Sequence, residues 1–123
     1  MANKFFYDTF AIIELFRGNS KYSKYFSEDE GITAFHNAAE VYYIMLREED
    51  EERAKIALDF IRKITIFPDF DLIEEAMKFR LKNRKYKFSY ADCLGYILAK
   101  GKKLIFLTGD SSFKNFPNVE FVR

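Results

Sequence analysis

Four carboxylates in this chain stand where a carboxylate can do chemistry. Asp8 closes the apolar run Phe5-Phe6-Tyr7, and the helix-like stretch Thr9-Phe10-Ala11-Ile12-Ile13-Glu14-Leu15 follows at once. Asp110 comes after Gly109 at the end of a second apolar run, Lys103 to Thr108. Asp92 opens one helical stretch and Glu40 lies in the first turns of another. Open α/β folds gather ligands at the carboxyl ends of their strands, and helix starts can share that rim. The four acids are therefore expected to converge on one pocket anchored by Asp8. Crowded carboxylates repel and raise one another's pKa. A divalent cation relieves the conflict, and an all-oxygen donor set suits Mg²⁺ or Mn²⁺ better than zinc. One ion, or two about 4 Å apart, would activate water and stabilise charge on a phosphodiester, with water as the nucleophile.

Each acid also has a purely local reading. Asp8 can cap the helix it precedes. Ser89 with Asp92 has the form of a capping box, with Asp in place of the usual Glu or Gln. Asp110 can shape the Thr108–Ser111 turn, and Glu40 can be one solvated helix residue among many. Thr108, Ser111 and Ser112 can meet a phosphate or a metal-bound water, or can satisfy turn backbone groups. His36, the only histidine, lies at a helix start outside any cluster and is expected to be capping or exposed. Cys93 sits beside Leu94 in an apolar helix and is expected to be a small core residue. The most basic stretch, Lys78 to Lys87, offers Lys82, Arg84, Lys85 and Lys87 to RNA phosphates, or forms a solvated helix end. Tyr7, Tyr22 and Tyr25 are candidates for stacking on bases.

The elements that must position these groups follow from apolar spacing. Thr9 to Phe16 forms a helix ended by Gly18, and Ser20 can cap a short helix over 21–28. Gly31 to Ala34 is a brief strand. Residues 36–49 form a helix whose stripe is Ala38, Val41, Tyr42, Met45 and Leu46. The acids Glu48 to Glu52 form a solvated link or the seam to a second helix, Arg53 to Arg62, which turns Ala54, Ala57, Leu58 and Ile61 inward. Ile64 to Phe67 is a β-branched strand, and Asp69 or Asp71 can cap a helix over 70–82. Ser89 to Ala99 is a helix stopped by Gly101. Lys103 to Thr108 is the clearest strand, Ser111 to Phe116 a turn or single helical turn, and Val119 to Val122 a last strand. Apolar strands separated by amphipathic helices imply a mostly parallel sheet covered on both faces.

Composition narrows the function class. The 123 residues are expected to form a single domain, 1–123, with a real core. Twenty Lys and Arg against nineteen Asp and Glu leave a net charge of +1, which argues against a strongly basic DNA-coating protein. One cysteine rules out an internal disulfide and suits a reducing compartment. No apolar run approaches a membrane span and no secretory leader pattern is visible, so the expectation is a cytoplasmic protein with no membrane partner. There is no zinc spacing, Walker loop or GxGxxG. A haloacid-type phosphatase would want an acid two residues after Asp8, where Phe10 stands. A receiver-type domain would want paired acids in the first loop.

The motifs together resemble the PIN-domain family, and within it the small VapC-type toxin ribonucleases. Phe6-Tyr7-Asp8-Thr9 resembles the family's first motif, Ala38-Ala39-Glu40-Val41-Tyr42 the second, Ser89 to Ala99 with Asp92 the third, and Leu107-Thr108-Gly109-Asp110-Ser111-Ser112-Phe113 the fourth. The resemblance implies a three-layer α/β/α sandwich around a parallel sheet of about five strands. It implies Mg²⁺- or Mn²⁺-dependent cleavage of RNA. Asp8, Asp92 and Asp110 would hold the ion, and Glu40 would complete the pocket, bind a second ion or orient water. Thr9, Thr108 and Ser112 would be supporting groups. It also implies a homodimer and a cognate antitoxin that feeds a peptide into the groove. The alternative is a PIN-like protein- or RNA-binding scaffold without activity, with the acids as caps.

Overall fold

The computed structural model describes residues 3–123; the first two residues of the expected 1–123 domain lie outside the described residues. The chain runs β1 (Lys4–Tyr7), α1 (Thr9–Phe16), α2 (Ser20–Ser27), β2 (Glu30–Ala34), α3 (Phe35–Glu48), α4 (Glu51–Arg62), β3 (Thr65–Ile66), α5 (Asp71–Lys82), α6 (Tyr90–Gly101), β4 (Ile105–Thr108) and β5 (Val119–Phe121). Single 3₁₀ turns cover Arg84–Tyr86 and Ser111–Phe113. The expected order of strands and helices is the one found.

The sheet has five strands in the order β3-β2-β1-β4-β5, and every pairing is parallel. From β1 the chain moves outward through β2 to β3, then returns to place β4 on the other side of β1. The direction of winding therefore reverses between β1 and β4, and a crevice opens at such a switch point beyond the strand ends. Asp8 follows β1 and Asp110 follows β4, so both leave the sheet there.

Alternation along the strands explains why they read as continuous apolar runs. Phe5, Tyr7 and Leu107 point into a core shared with α1 to α4. Phe6 and Phe106 point the opposite way, into a core shared with α5 and α6. Helices thus cover both faces of a parallel sheet, in three layers. Phe6 and Phe106 are stacked at 5.9 Å and fully buried, and each ring contributes roughly 2 kcal/mol by leaving water. Gly95 lets α6 lie close to β1, since a Cβ there would stand 3.0 Å from the Phe6 ring.

Several local expectations need correction. Asn19, not Ser20, caps α2, its Oδ1 accepting from Lys21 N–H at 3.0 Å. Leu46 drops out of the buried stripe of α3 and is exposed, while Asn37 enters it. β3 is only Thr65–Ile66, and Phe67 projects into solvent at 74% exposure. β4 begins at Ile105 because Lys103 turns the chain with φ 59°. The helix expected to stop before Gly101 includes it. His36 neither caps nor stands exposed. Its ring is half-buried beside the Ala91 backbone, and burial holds its pKa below the ordinary value. Asp50 resolves the acidic seam: it caps α4 by accepting from Arg53 N–H at 2.8 Å.

Candidate active site

Asp8 sits where β1 hands over to α1, but it does not cap that helix with its side chain. Its Oδ2 accepts a hydrogen bond from the Thr108 hydroxyl at 2.8 Å. Thr108 is the last residue of β4 and is fully buried, so adjacent parallel strands supply acid and donor. The Thr108 oxygen also accepts from the Asp110 backbone N–H at 3.1 Å. One hydroxyl therefore ties the first acid to the last. Gly109 lies between them because the Phe10 ring packs where a Cβ would be.

Asp110 Oδ1 accepts from the Ser112 backbone N–H at 2.9 Å and starts the 3₁₀ turn, so the turn-shaping reading holds for that oxygen. Ser112 supports Asp110 through its main chain, while the residue itself lines a neighbouring cavity with Asn83 and Tyr86. Asp92 and Ser89 form the expected reciprocal box: Asp92 N–H donates to Ser89 Oγ at 3.0 Å, and Ser89 N–H donates to Asp92 Oδ2 at 2.9 Å. Glu40 Oε1 accepts from the Thr9 hydroxyl at 2.5 Å, and Thr9 Oγ1 accepts from Asn37 Nδ2 at 3.0 Å. The Thr9 proton is committed to Glu40, so the hydroxyl can only accept from Asn37, and this sets the orientation of the amide.

All four acids line one cleft of about 410 Å³. Asp8 is 6% exposed. Burial, then the charge of Asp92, pushes its carboxyl up to about 7; the Thr108 hydrogen bond and the Thr9 backbone oppose the rise, and Glu40 adds to it. Asp92 is raised too, first by burial and also by the charges of Asp110 and Glu40. The acids therefore feel one another across the cleft. Among the described residues, no three acidic, His or Cys side chains are close enough as they stand to hold an ion together. The donor chemistry nonetheless fits a hard cation. Glu40 Oε2, Asp92 Oδ1 and Asp110 Oδ2 accept no hydrogen bond from the described residues. The three residues line a cleft where an added positive charge would relieve the repulsion.

The remaining expectations divide. Thr9, like the acids, lines the cleft. Lys82, Arg84, Lys85 and Lys87 do not; they lie at the end of α5 and in the turn after it. Tyr7 and Tyr22 are buried with their hydroxyls on backbone carbonyls, and Tyr25 is buried with its hydroxyl on Glu120, so none of the three presents a face to a base. Sequence reasoning missed Asn37, Arg17 and Arg123. Asn37 lies three residues before Glu40, on the same helix face, and that spacing was a usable signal. Nothing local marks Arg123, which reaches the cleft only because β5 lies beside β4.

The family model described as PIN domain matches residues 5–119. Comparison with curated protein sequences gives no match. The structure is similar to VapBC2 from Rickettsia felis bound to a promoter DNA fragment, with TM-score 0.78 and 14% identity over 98% of this chain and 99% of that one. It is similar to the Mycobacterium tuberculosis toxin VapC20, described as cleaving the sarcin-ricin loop, with TM-score 0.76 and 16% identity over 94% and 98%. A toxin–antitoxin complex from Klebsiella pneumoniae gives TM-score 0.75 and 21% identity over 94% and 95%. With its parallel five-stranded sheet and a family match over nearly its whole length, the chain belongs to the PIN domain family.

Proposed function

We propose that the protein is a metal-dependent endoribonuclease that hydrolyses RNA phosphodiester bonds, acting as the toxin of a type II toxin–antitoxin pair in the cytoplasm. The observation that carries this reading is the meeting of Asp8, Glu40, Asp92 and Asp110, from four separate elements, around one cleft. Asp8, Asp92 and Asp110 would hold Mg²⁺ or Mn²⁺, and Glu40 would complete the set. The ion, when bound, supplies charge neutralisation at phosphorus and acidifies an attacking water. Thr108 keeps Asp8 Oδ2 aimed by donating to it, and its acceptance of the Asp110 N–H fixes the spacing of the two acids. Thr9 holds Glu40 Oε1, which leaves Oε2 to take the proton of the attacking water. The new phosphorus–oxygen bond forms as the bond to the departing sugar oxygen breaks, and that oxygen takes a proton from solvent.

The test is cleavage of an RNA oligonucleotide with Mg²⁺ or Mn²⁺ by wild type, Asp8→Asn and Asp110→Asn. Activity in wild type and its loss by a factor of about 100 or more in both variants is expected. Equal cleavage in all three would sink the nuclease reading. A second reading, a PIN-like binding scaffold, is favoured by one observation: Asp92 and Asp110 each already serve a local turn or cap. It expects no metal-dependent cleavage by any of them.

The same reading includes two protein partners. A second copy is supported by the outer face of α5, where Phe70, Ile73 and Leu81 are exposed at helical spacing. The first half of that helix carries Asp71 and Glu74, the second Lys78 and Lys82. A two-fold axis across α5 would bury the stripe and set acidic half against basic half. An antitoxin peptide with a basic side chain would suit the acid cleft. Among the described residues no helix is long and apolar enough to cross a membrane.

A further inference from the structure

Arg123 brings a guanidinium into the acid-lined cleft without a carboxylate to match it. Arg17 and Arg123 both line that cleft, but their surroundings differ. Arg17 is paired with Glu14 at 3.4 Å and with Glu48. Arg123 forms no ion pair among the described residues. Its guanidinium donates to the Gly109 carbonyl instead, and lies 5.5 Å from the centroid of the Phe10 ring. Gly109 stands between Thr108 and Asp110, and Phe10 is two residues beyond Asp8. One anchor therefore sits in the first turn of the helix that follows the first acid, and the other in the turn that carries the last. The backbone is held as well: Tyr22 OH donates to the Val122 carbonyl at 2.6 Å, and Lys21 Nζ to the Arg123 carbonyl at 2.9 Å.

An arginine has five N–H donors in a planar fork that matches two phosphate oxygens. Gly109 engages only part of that fork. The cation–π contact with Phe10 favours the group where it stands. A polyanion entering a cleft walled by Asp8, Glu40, Asp92 and Asp110 meets repulsion, and the lysines and arginines after α5 lie outside it. We infer that Arg123 binds a phosphodiester group of the RNA next to the bond that is cut, and so sets the register of the strand over the acids. The inference rests on the nuclease reading for its substrate.

The test is the salt dependence of RNA binding, followed by fluorescence anisotropy with a short single-stranded oligonucleotide in Ca²⁺ buffer. Arg123→Ala is expected to weaken binding about tenfold or more at low salt and to lower the slope of log K against log salt by roughly 0.7, the value for one lost phosphate contact on a single strand. Arg123→Lys keeps the charge and should keep the slope. With Mn²⁺, KM should rise in Arg123→Ala with a smaller change in kcat. Equal slopes for wild type and Arg123→Ala overturn the assignment, as does a wild type that binds no RNA. Failure of wild type to cleave with Mn²⁺ counts against the nuclease reading alone, since the slope is read without turnover.

Discussion

Thr108 donates its hydroxyl proton to Asp8 across 2.8 Å although 100 residues separate them in the chain. The same oxygen receives the Asp110 N–H, so a single side chain, placed by the register of β4 on β1, spaces two acids of the cleft. Thr108→Val keeps the shape and removes both bonds. A buried carboxylate left short of a donor costs about 1–3 kcal/mol, and loss of an outer support weakens metal binding roughly 10–100-fold. Calorimetric titration with Mn²⁺ and urea melts report both; wild-type values in both would show that Thr108 is only packing.

Asp8 makes metal-free stability fall with rising pH. Its folded pKa of about 7 lies above the ordinary 3.8. Between those values the folded chain keeps a proton that the unfolded chain has released, so each step up in pH favours unfolding. The penalty is absent below 3.8, grows across the window and is complete above 7. Asp8→Asn removes it. The variant should melt roughly 5 °C or more above wild type at pH 8 in EDTA and close to it at pH 4. A constant difference at both pH values would contradict this. By the same linkage, a metal ion held by Asp8 would have to displace its proton, and its binding should weaken below pH 7.

Asn37, Thr9 and Glu40 form a chain of two hydrogen bonds that ends on an acid. Asn37→Ala and Thr9→Val should each lower Mn²⁺-dependent cleavage by roughly tenfold. The double variant should lose little more than either, because both act through Glu40. Additive losses would mean that the two residues act separately. A kcat effect without a change in KM would place the loss at Glu40 rather than in RNA binding.

The α5 face gives a prediction independent of chemistry. Leu81→Glu and Ile73→Lys put charges into the exposed stripe and should convert a dimer to a monomer in sedimentation, while the helix content stays the same. A wild type that sediments as a monomer at micromolar concentration would remove this face as the dimer contact.

Much of the fold was legible because burial on both faces leaves a plain record. Phe5-Phe6-Tyr7 and Ile105-Phe106-Leu107 read as strands since every position must be apolar. Ser89 and Asp92 were readable as a cap because the bonds span three residues. Ser20, Leu46 and His36 misled for two different reasons. Asn19 competes locally for the α2 cap, and which flank of α3 is covered depends on α1, α4 and α6 rather than on α3 itself.

Periodicity and local hydrogen-bonding chemistry, which act over a few residues, therefore determined the elements and the positions of Asp8, Asp92 and Asp110 at their ends. The reversal of strand order between β1 and β4 was decided only in three dimensions. So were the Thr108–Asp8 bond, the Asn37–Thr9–Glu40 chain and the arrival of Arg123 beside Gly109. Those depend on contacts between distant segments, and the free energy of such contacts comes from mutual burial that no single stretch of chain can encode.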